Sequence, residues 1–162
     1  MRIGFRPQEI LAIACQLERD GAAFYRRAAE AVQEPKTARL LLELAQMEDD
    51  HLATFRAMKQ ELPGQGSGEL AFDADVALRY LRAVSSGNVV DFSADLGARL
   101  AECKGPAAVL RLAIEAEKDS VVLYAGIQGM ASGHPGWHAA QAIFFEEMEH
   151  VAALSERLES LA

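Results

Sequence analysis

Cysteine is nearly absent from the sequence, which contains only Cys15 and Cys103, at distant positions. They form neither a CxxC metal knuckle nor a disulfide framework, so any metal chemistry has to use histidine and carboxylate side chains. Basic residues are also outnumbered: 16 Lys and Arg stand against 24 Asp and Glu, for a net charge of -8. This balance argues against nucleic acid as a partner, because phosphate backbones are bound by basic surfaces.

Long apolar runs are missing as well. No stretch approaches the roughly 20 apolar residues that a membrane-spanning helix needs, and residues 1–7 lack the apolar segment of a signal peptide. We therefore expect no membrane span and a cytoplasmic location. A chain of 162 residues, 51% of them hydrophobic, can bury one substantial core but not two. This predicts a single domain over residues 1–162.

Glycine and proline are scarce, at 12 and 5 residues, and no segment shows the alternation of apolar and polar residues that is typical of strands. Four long segments instead have helical periodicity, which predicts an all-α fold. Each begins with a proline near its first turn, where a missing N–H leaves no hydrogen bond unmade. The segments run from Pro7 to about residue 32, from Pro35 to about 62, from Pro106 to about 131, and from Pro135 to 161.

The links between these segments predict the topology. Short loops join the first two segments and the last two, so each pair is expected to form an antiparallel hairpin, over residues 7–62 and 106–161. Residues 63–105 form a long crossover with helical patterns of its own around 75–84 and 93–103, which can carry the chain between opposite ends of a bundle. Two hairpins and one long crossover predict a ferritin-like four-helix bundle.

The chain contains an internal repeat at an offset of 99 residues. The offset superposes Glu18 on Glu117, Tyr25 on Tyr124, Glu48 on Glu147 and His51 on His150. In both halves the second glutamate follows the first by 30 residues and precedes the histidine by three. Core packing does not require such matched intervals between polar residues.

These polar residues predict a centre for two metal ions. Each Glu-x-x-His pair lies on one helical face, and in an antiparallel hairpin the first glutamate lies at a similar depth. Two hairpins then bring four carboxylates and two imidazoles together, the ligand set of dinuclear centres in this architecture, and two divalent ions would balance the charge. The predicted metal ligands are Glu18, Glu48, His51, Glu117, Glu147 and His150. The alternative is that these side chains lie on solvated faces or pair with each other.

Further residues are candidates for roles beside the metal. Tyr25 and Tyr124 follow the first glutamate of each half by two helical turns, and are candidate catalytic residues that could hydrogen-bond a ligand carboxylate or a bound oxygen species. They could equally be tyrosines that line the bundle. Glu146 could orient a ligand histidine across the site, whereas its counterpart Met47 could not. If Glu18 and its counterpart bridge both ions, their replacement should weaken both metal positions.

On these residues the sequence resembles the rubrerythrin branch of the ferritin-like superfamily. The resemblance implies two iron ions, with manganese or a mixed iron–manganese pair as alternatives, and reaction with hydrogen peroxide or oxygen in a homodimer. Many rubrerythrins carry an iron module with four cysteines. This sequence lacks it, so the resemblance implies a separate electron-donor protein. Rubrerythrins also have a glutamate where Ser120 stands here, three residues after the third-helix ligand, and their ligand switching does not carry over directly.

The leading hypothesis for function is therefore a di-iron oxidoreductase, a peroxidase of the rubrerythrin type. Three alternatives remain open. The first is ferroxidase activity with iron storage, which requires a 24-subunit shell. The second is an oxygen-activating di-iron hydroxylase with a channel for an organic substrate. The third is a metal-binding bundle without enzymatic activity.

Overall fold

The computed structural model describes residues 7–61, 95–131 and 137–162, and their regular structure is entirely helical. The helices are α1 (Pro7–Ala31), α2 (Pro35–Glu61), α3 (Asp95–Glu102), α4 (Pro106–Ala131) and α5 (Trp137–Glu159). Helix α1 packs along α2 and α4 along α5, while α1 also faces α4 and α2 faces α5. The prediction of an all-α, ferritin-like helical bundle is confirmed. Within the described ranges, no helix combines the length and apolarity that crossing a bilayer requires.

Prolines begin α1, α2 and α4, as the sequence predicts. The short helix α3 agrees with the second helical pattern of the crossover, and it packs against α1 and α4 with Leu96 and Leu100 buried. Gly105 separates α3 from α4 with a φ of +80°, a backbone conformation that favours glycine. The helical pattern predicted around residues 75–84 and the helix start predicted at Pro135 lie outside the described residues.

The start of α2 is fixed by the side chain of Glu34. Its carboxylate accepts hydrogen bonds from the backbone N–H groups of Lys36 and Thr37, at 3.1 and 2.7 Å, and so satisfies two donors that the helix leaves free. The Thr37 hydroxyl also donates to it, and Arg157 of α5 donates to both Glu34 and Thr37. This network ties the α1–α2 turn to the end of α5.

Two apolar clusters fill the bundle, one on each side of a polar layer. The first joins the C-terminal half of α1 to the N-terminal halves of α2 and α4 and the C-terminal part of α5, and it includes Leu41, Leu110 and Leu154. The second joins the opposite halves of the same helices and includes Phe55 and Tyr124. Neighbouring helices are therefore antiparallel. The layer between the clusters contains the predicted metal ligands.

Candidate metal centre

The six predicted ligands converge in the polar layer, and none of them is solvated. Their relative exposures are 1% for Glu18, 4% for Glu48, 3% for His51, 3% for Glu117, 1% for Glu147 and 2% for His150. Each long helix contributes: α1 and α4 supply one glutamate each, and α2 and α5 supply one Glu-x-x-His pair each. The burial excludes the alternative that these side chains lie on solvated faces.

The six side chains form two overlapping groups, each with ligand atoms that lie within 4.8 Å of one another. The His51 group contains Glu18, Glu48, His51 and Glu147, and the His150 group contains Glu48, Glu117, Glu147 and His150. Each group therefore offers three carboxylates and one imidazole. Glu48 and Glu147 belong to both groups, whereas Glu18 and Glu117 belong to one group each.

Each shared carboxylate turns one oxygen toward each histidine. Glu48 Oε2 lies 3.7 Å from His51 Nδ1, and its Oε1 lies 3.4 Å from His150 Nδ1. Glu147 does the same, with Oε1 at 2.9 Å from His51 Nδ1 and Oε2 at 3.5 Å from His150 Nδ1. In this geometry the glutamates of the two Glu-x-x-His pairs, rather than Glu18 and Glu117, face both histidines.

The two imidazoles present matching nitrogens to the cluster. The rings lie 5.7 Å apart and nearly parallel, at 14°. The Nδ1 atoms of His51 and His150 and the Oε1 atom of Glu147 are buried, and none makes a well-directed hydrogen bond within the described residues, although His51 Nδ1 and Glu147 Oε1 lie 2.9 Å apart. Buried polar atoms without partners are costly unless another group satisfies them. Cations bound between the carboxylates would do so, and the donor set of oxygen with one nitrogen per group suits iron or manganese.

A protein-family model matches part of the chain. The Rubrerythrin family model matches residues 9–82, which include Glu18, Glu48 and His51. Over these residues the chain is similar to rubrerythrins. Comparison with curated proteins and with solved structures gave no significant match. The match does not cover the second hairpin, in which the internal repeat places equivalent glutamate and histidine residues on α4 and α5.

Small residues stand at two equivalent positions of the repeat, three residues after Glu18 and Glu117. Ser120 is buried three residues after Glu117, and its hydroxyl donates to the Ala116 carbonyl at 3.3 Å, within its own helix. Its counterpart in the repeat is Gly21, where an added Cβ would lie 3.5 Å from the Glu48 side chain. The sequence did not lead us to predict that Gly21 lies beside Glu48. The repeat could have indicated it, because it aligns Gly21 with Ser120, which follows Glu117 by three residues.

The two tyrosines reach across the bundle. Tyr25 of α1 donates a hydrogen bond to Glu117 Oε1 of α4, and Tyr124 of α4 donates one to Glu18 Oε1 of α1. Burial, followed by the negative charge of the neighbouring carboxylates, raises the pKa of both tyrosines well above 10. Both therefore stay protonated and act as donors, so each hairpin holds the unshared glutamate of the other.

Burial and mutual repulsion divide the four carboxyl groups into two kinds. Burial, together with the neighbouring carboxylates, raises the pKa of Glu18 and Glu117 well above its usual value. Burial also opposes ionisation of Glu48 and Glu147, but close polar contacts with the other glutamates and with the histidines lower the pKa of both. The unshared glutamates thus tend to hold protons, and the shared glutamates stay ionised.

The carboxylates also retain protons on the histidines. Burial alone would lower the pKa of His51 and His150, but the surrounding glutamates outweigh it and raise the pKa of both, that of His150 to about 12. With two ionised carboxylates facing two imidazolium rings, protons alone can neutralise the cluster. Two divalent cations would replace these protons as the source of positive charge.

Glu146 contacts the site from outside. Its Oε2 lies 2.8 Å from His51 Nε2, on the side of the ring opposite Nδ1. The side chain is 45% exposed, so this carboxylate connects a buried histidine with the surface. Glu146 therefore lies where the predicted orienting role requires it, and that role stays a prediction.

Proposed function

We propose that the chain is a di-iron oxidoreductase that reduces hydrogen peroxide or oxygen, a peroxidase of the rubrerythrin type. In this proposal Glu18, Glu48, His51, Glu117, Glu147 and His150 are the ligands of two iron ions, with manganese or a mixed iron–manganese pair as the alternative. The observation that supports it most is the division of the Glu48 and Glu147 oxygens between the two histidines. A carboxylate in that position can bridge two ions and hold them together.

Two ferrous ions held in this way would supply one electron each, which with two protons converts one hydrogen peroxide molecule to two water molecules. The protein's part is to hold the ligands in place and to exclude water. The apolar clusters on both sides of the polar layer provide that exclusion. The two cysteines offer no four-cysteine iron module, so the proposal includes a separate electron-donor protein. It also includes a homodimer and a cytoplasmic location.

The tyrosines act in this proposal by positioning ligands. A hydrogen bond to a metal-bound carboxylate fixes its orientation, and loss of such an outer contact typically weakens metal binding about 10- to 100-fold. Tyr124→Phe is therefore expected to weaken the His51 group, and Tyr25→Phe the His150 group, because each tyrosine holds a glutamate of only that group. Equal weakening of both groups by either variant would contradict this assignment.

Rapid mixing of the ferrous protein with peroxide, and separately with oxygen, tests the function. We expect about two iron ions to be oxidised for each peroxide molecule, faster than free ferrous ion under the same conditions. Glu147→Ala is expected to abolish this reaction, whereas Glu149→Ala, which removes an exposed carboxylate of the same helix, should leave it unchanged. If ferrous ion bound to the protein is oxidised no faster than free ferrous ion, the result would contradict the proposed activity and favour a metal-binding bundle without enzymatic activity.

The outcome also separates the other candidate functions. Faster reaction with oxygen than with peroxide, in a protein that assembles as a 24-subunit shell, would favour ferroxidase activity and iron storage. Size-exclusion chromatography detects such a shell directly. Oxygen consumption that depends on an added apolar substrate would favour a di-iron hydroxylase.

A further inference from the structure

The two halves of the glutamate–histidine cluster have matched inner contacts. Each group offers three carboxylates and one imidazole, and each unshared glutamate accepts a hydrogen bond from one tyrosine. By type of ligand the two groups are therefore equivalent. The contacts outside the cluster distinguish them.

The outer contacts of the two histidines differ. Nε2 of His51 meets the carboxylate of Glu146 at 2.8 Å. Nε2 of His150 is buried and has no hydrogen-bond partner among the described residues. The repeat accounts for the difference, because the residue that corresponds to Glu146 in the first half is Met47. A thioether is at best a weak acceptor and carries no charge.

The contact with Glu146 favours a metal ion on the opposite side of the ring. A carboxylate that accepts the Nε2 proton holds the neutral ring in the tautomer whose Nδ1 lone pair is free, and Nδ1 of His51 faces Glu147 and Glu18. The same hydrogen bond increases the basicity of Nδ1 and fixes the ring orientation. His150 receives none of these effects, and its buried Nε2–H lacks an acceptor.

We infer that the two cation positions are unequal: the His51 group fills first, about 10- to 100-fold more tightly than the His150 group, because Glu146 positions His51. This inference rests on the proposed metal centre. It makes Glu146 a positioning residue, since it contacts a ligand rather than the ion. The duplicated hairpins thus carry a pair of sites with the same ligands and different affinities.

Titration of the metal-depleted protein with Mn²⁺ tests the inference, with free Mn²⁺ followed by electron paramagnetic resonance. The native protein is expected to bind two ions in steps that differ by about 10- to 100-fold. Glu146→Met replaces Glu146 with methionine, the residue at the equivalent position 47 of the first half. In this variant the tighter binding step should weaken about 10- to 100-fold until it coincides with the weaker step, which should not change. Glu149→Met is the control, because it makes the same substitution at an exposed position of α5.

Two histidine variants assign the steps to the groups. His150→Ala should retain the tighter step, and His51→Ala should retain only the weaker one. Two equal steps in the native protein, or identical titrations of the Glu146→Met and Glu149→Met variants, would overturn the inequality while leaving the proposed metal centre standing. Native protein that binds no Mn²⁺ and no Fe²⁺ would overturn the metal centre itself, and the inference with it.

Discussion

The shared position of Glu147 leads to a prediction about metal content that separates shared from unshared ligands. Glu147→Ala removes one ligand from each group, so that both groups keep three. Glu18→Ala leaves three ligands in the His51 group and all four in the His150 group. Both variants remove one buried carboxylate of the same size. They differ in whether that carboxylate belongs to one group or to both.

We expect a corresponding difference in the number of ions retained. Against a chelator that leaves two ions on the native protein, Glu18→Ala should keep about one ion per chain and Glu147→Ala close to none, because three ligands bind a divalent ion more weakly than four. Glu117→Ala should behave like Glu18→Ala, and Glu48→Ala like Glu147→Ala. Metal analysis by mass spectrometry after dialysis gives the count.

Folding has to be separated from metal binding in this experiment. Circular dichroism of each metal-depleted variant checks the helices, and Glu149→Ala controls for the loss of one negative charge from α5. Loss of both ions from Glu18→Ala, together with retention of one ion by Glu147→Ala, would refute the assignment of the shared position. It would place the bridge on the glutamates of α1 and α4 instead.

Further predictions concern proton release on metal binding, the hydrogen bonds of Glu34 at the start of α2, and the packing of the apolar core. Binding of two Mn²⁺ ions should release about two to four protons, since the carboxylates retain protons on the imidazoles and on the unshared glutamates, so affinity falls as pH falls. Calorimetry in two buffers measures this, and release of less than one proton would contradict it. The hydroxyl of Thr37, with its backbone N–H and Arg157, lowers the pKa of Glu34 to about 2. The ionised Glu34 carboxylate therefore stabilises the folded protein fully above the usual pKa of 4.5, and this contribution is lost as pH falls toward 2. Glu34→Gln should therefore destabilise the protein to urea at pH 7 and converge with the native protein near pH 2. Leu110→Ala, at a fully buried position, should cost about 2–5 kcal/mol in urea unfolding. Leu42→Ala, at a side chain 53% exposed, should change stability by less than about 0.5 kcal/mol.

Much of the fold could be predicted from the sequence, because helical periodicity and N-terminal prolines are local signals. The bounds of α1, α2 and α4 lie within a residue or so of their predicted ends. The contact that ties Arg157 to Glu34 could not be predicted in this way. It joins residues far apart in sequence and depends on how the last turn of α5 lies against the α1–α2 turn.

For the site, the repeat predicted which residues lie together, but not which glutamates belong to both groups and which to one. That Glu48 is shared and Glu18 is not depends on the rotation of α1 and α2 about their axes and on side-chain rotamers, which spacing does not determine. The crossed tyrosines are a similar case. The sequence placed Tyr25 on the face of Glu18, whereas its hydroxyl reaches Glu117 on the other hairpin.

The crossed tyrosines also bear on how such a protein can arise. Because Tyr25 holds Glu117 and Tyr124 holds Glu18, a single hairpin contains no half of the centre that is complete in itself. A precursor gene that encoded one hairpin would have assembled its centre between two identical copies, with every contact duplicated by symmetry. Fusion of two such genes would release the halves from that identity, and Met47 and Glu146 are one pair of equivalent positions at which the halves differ.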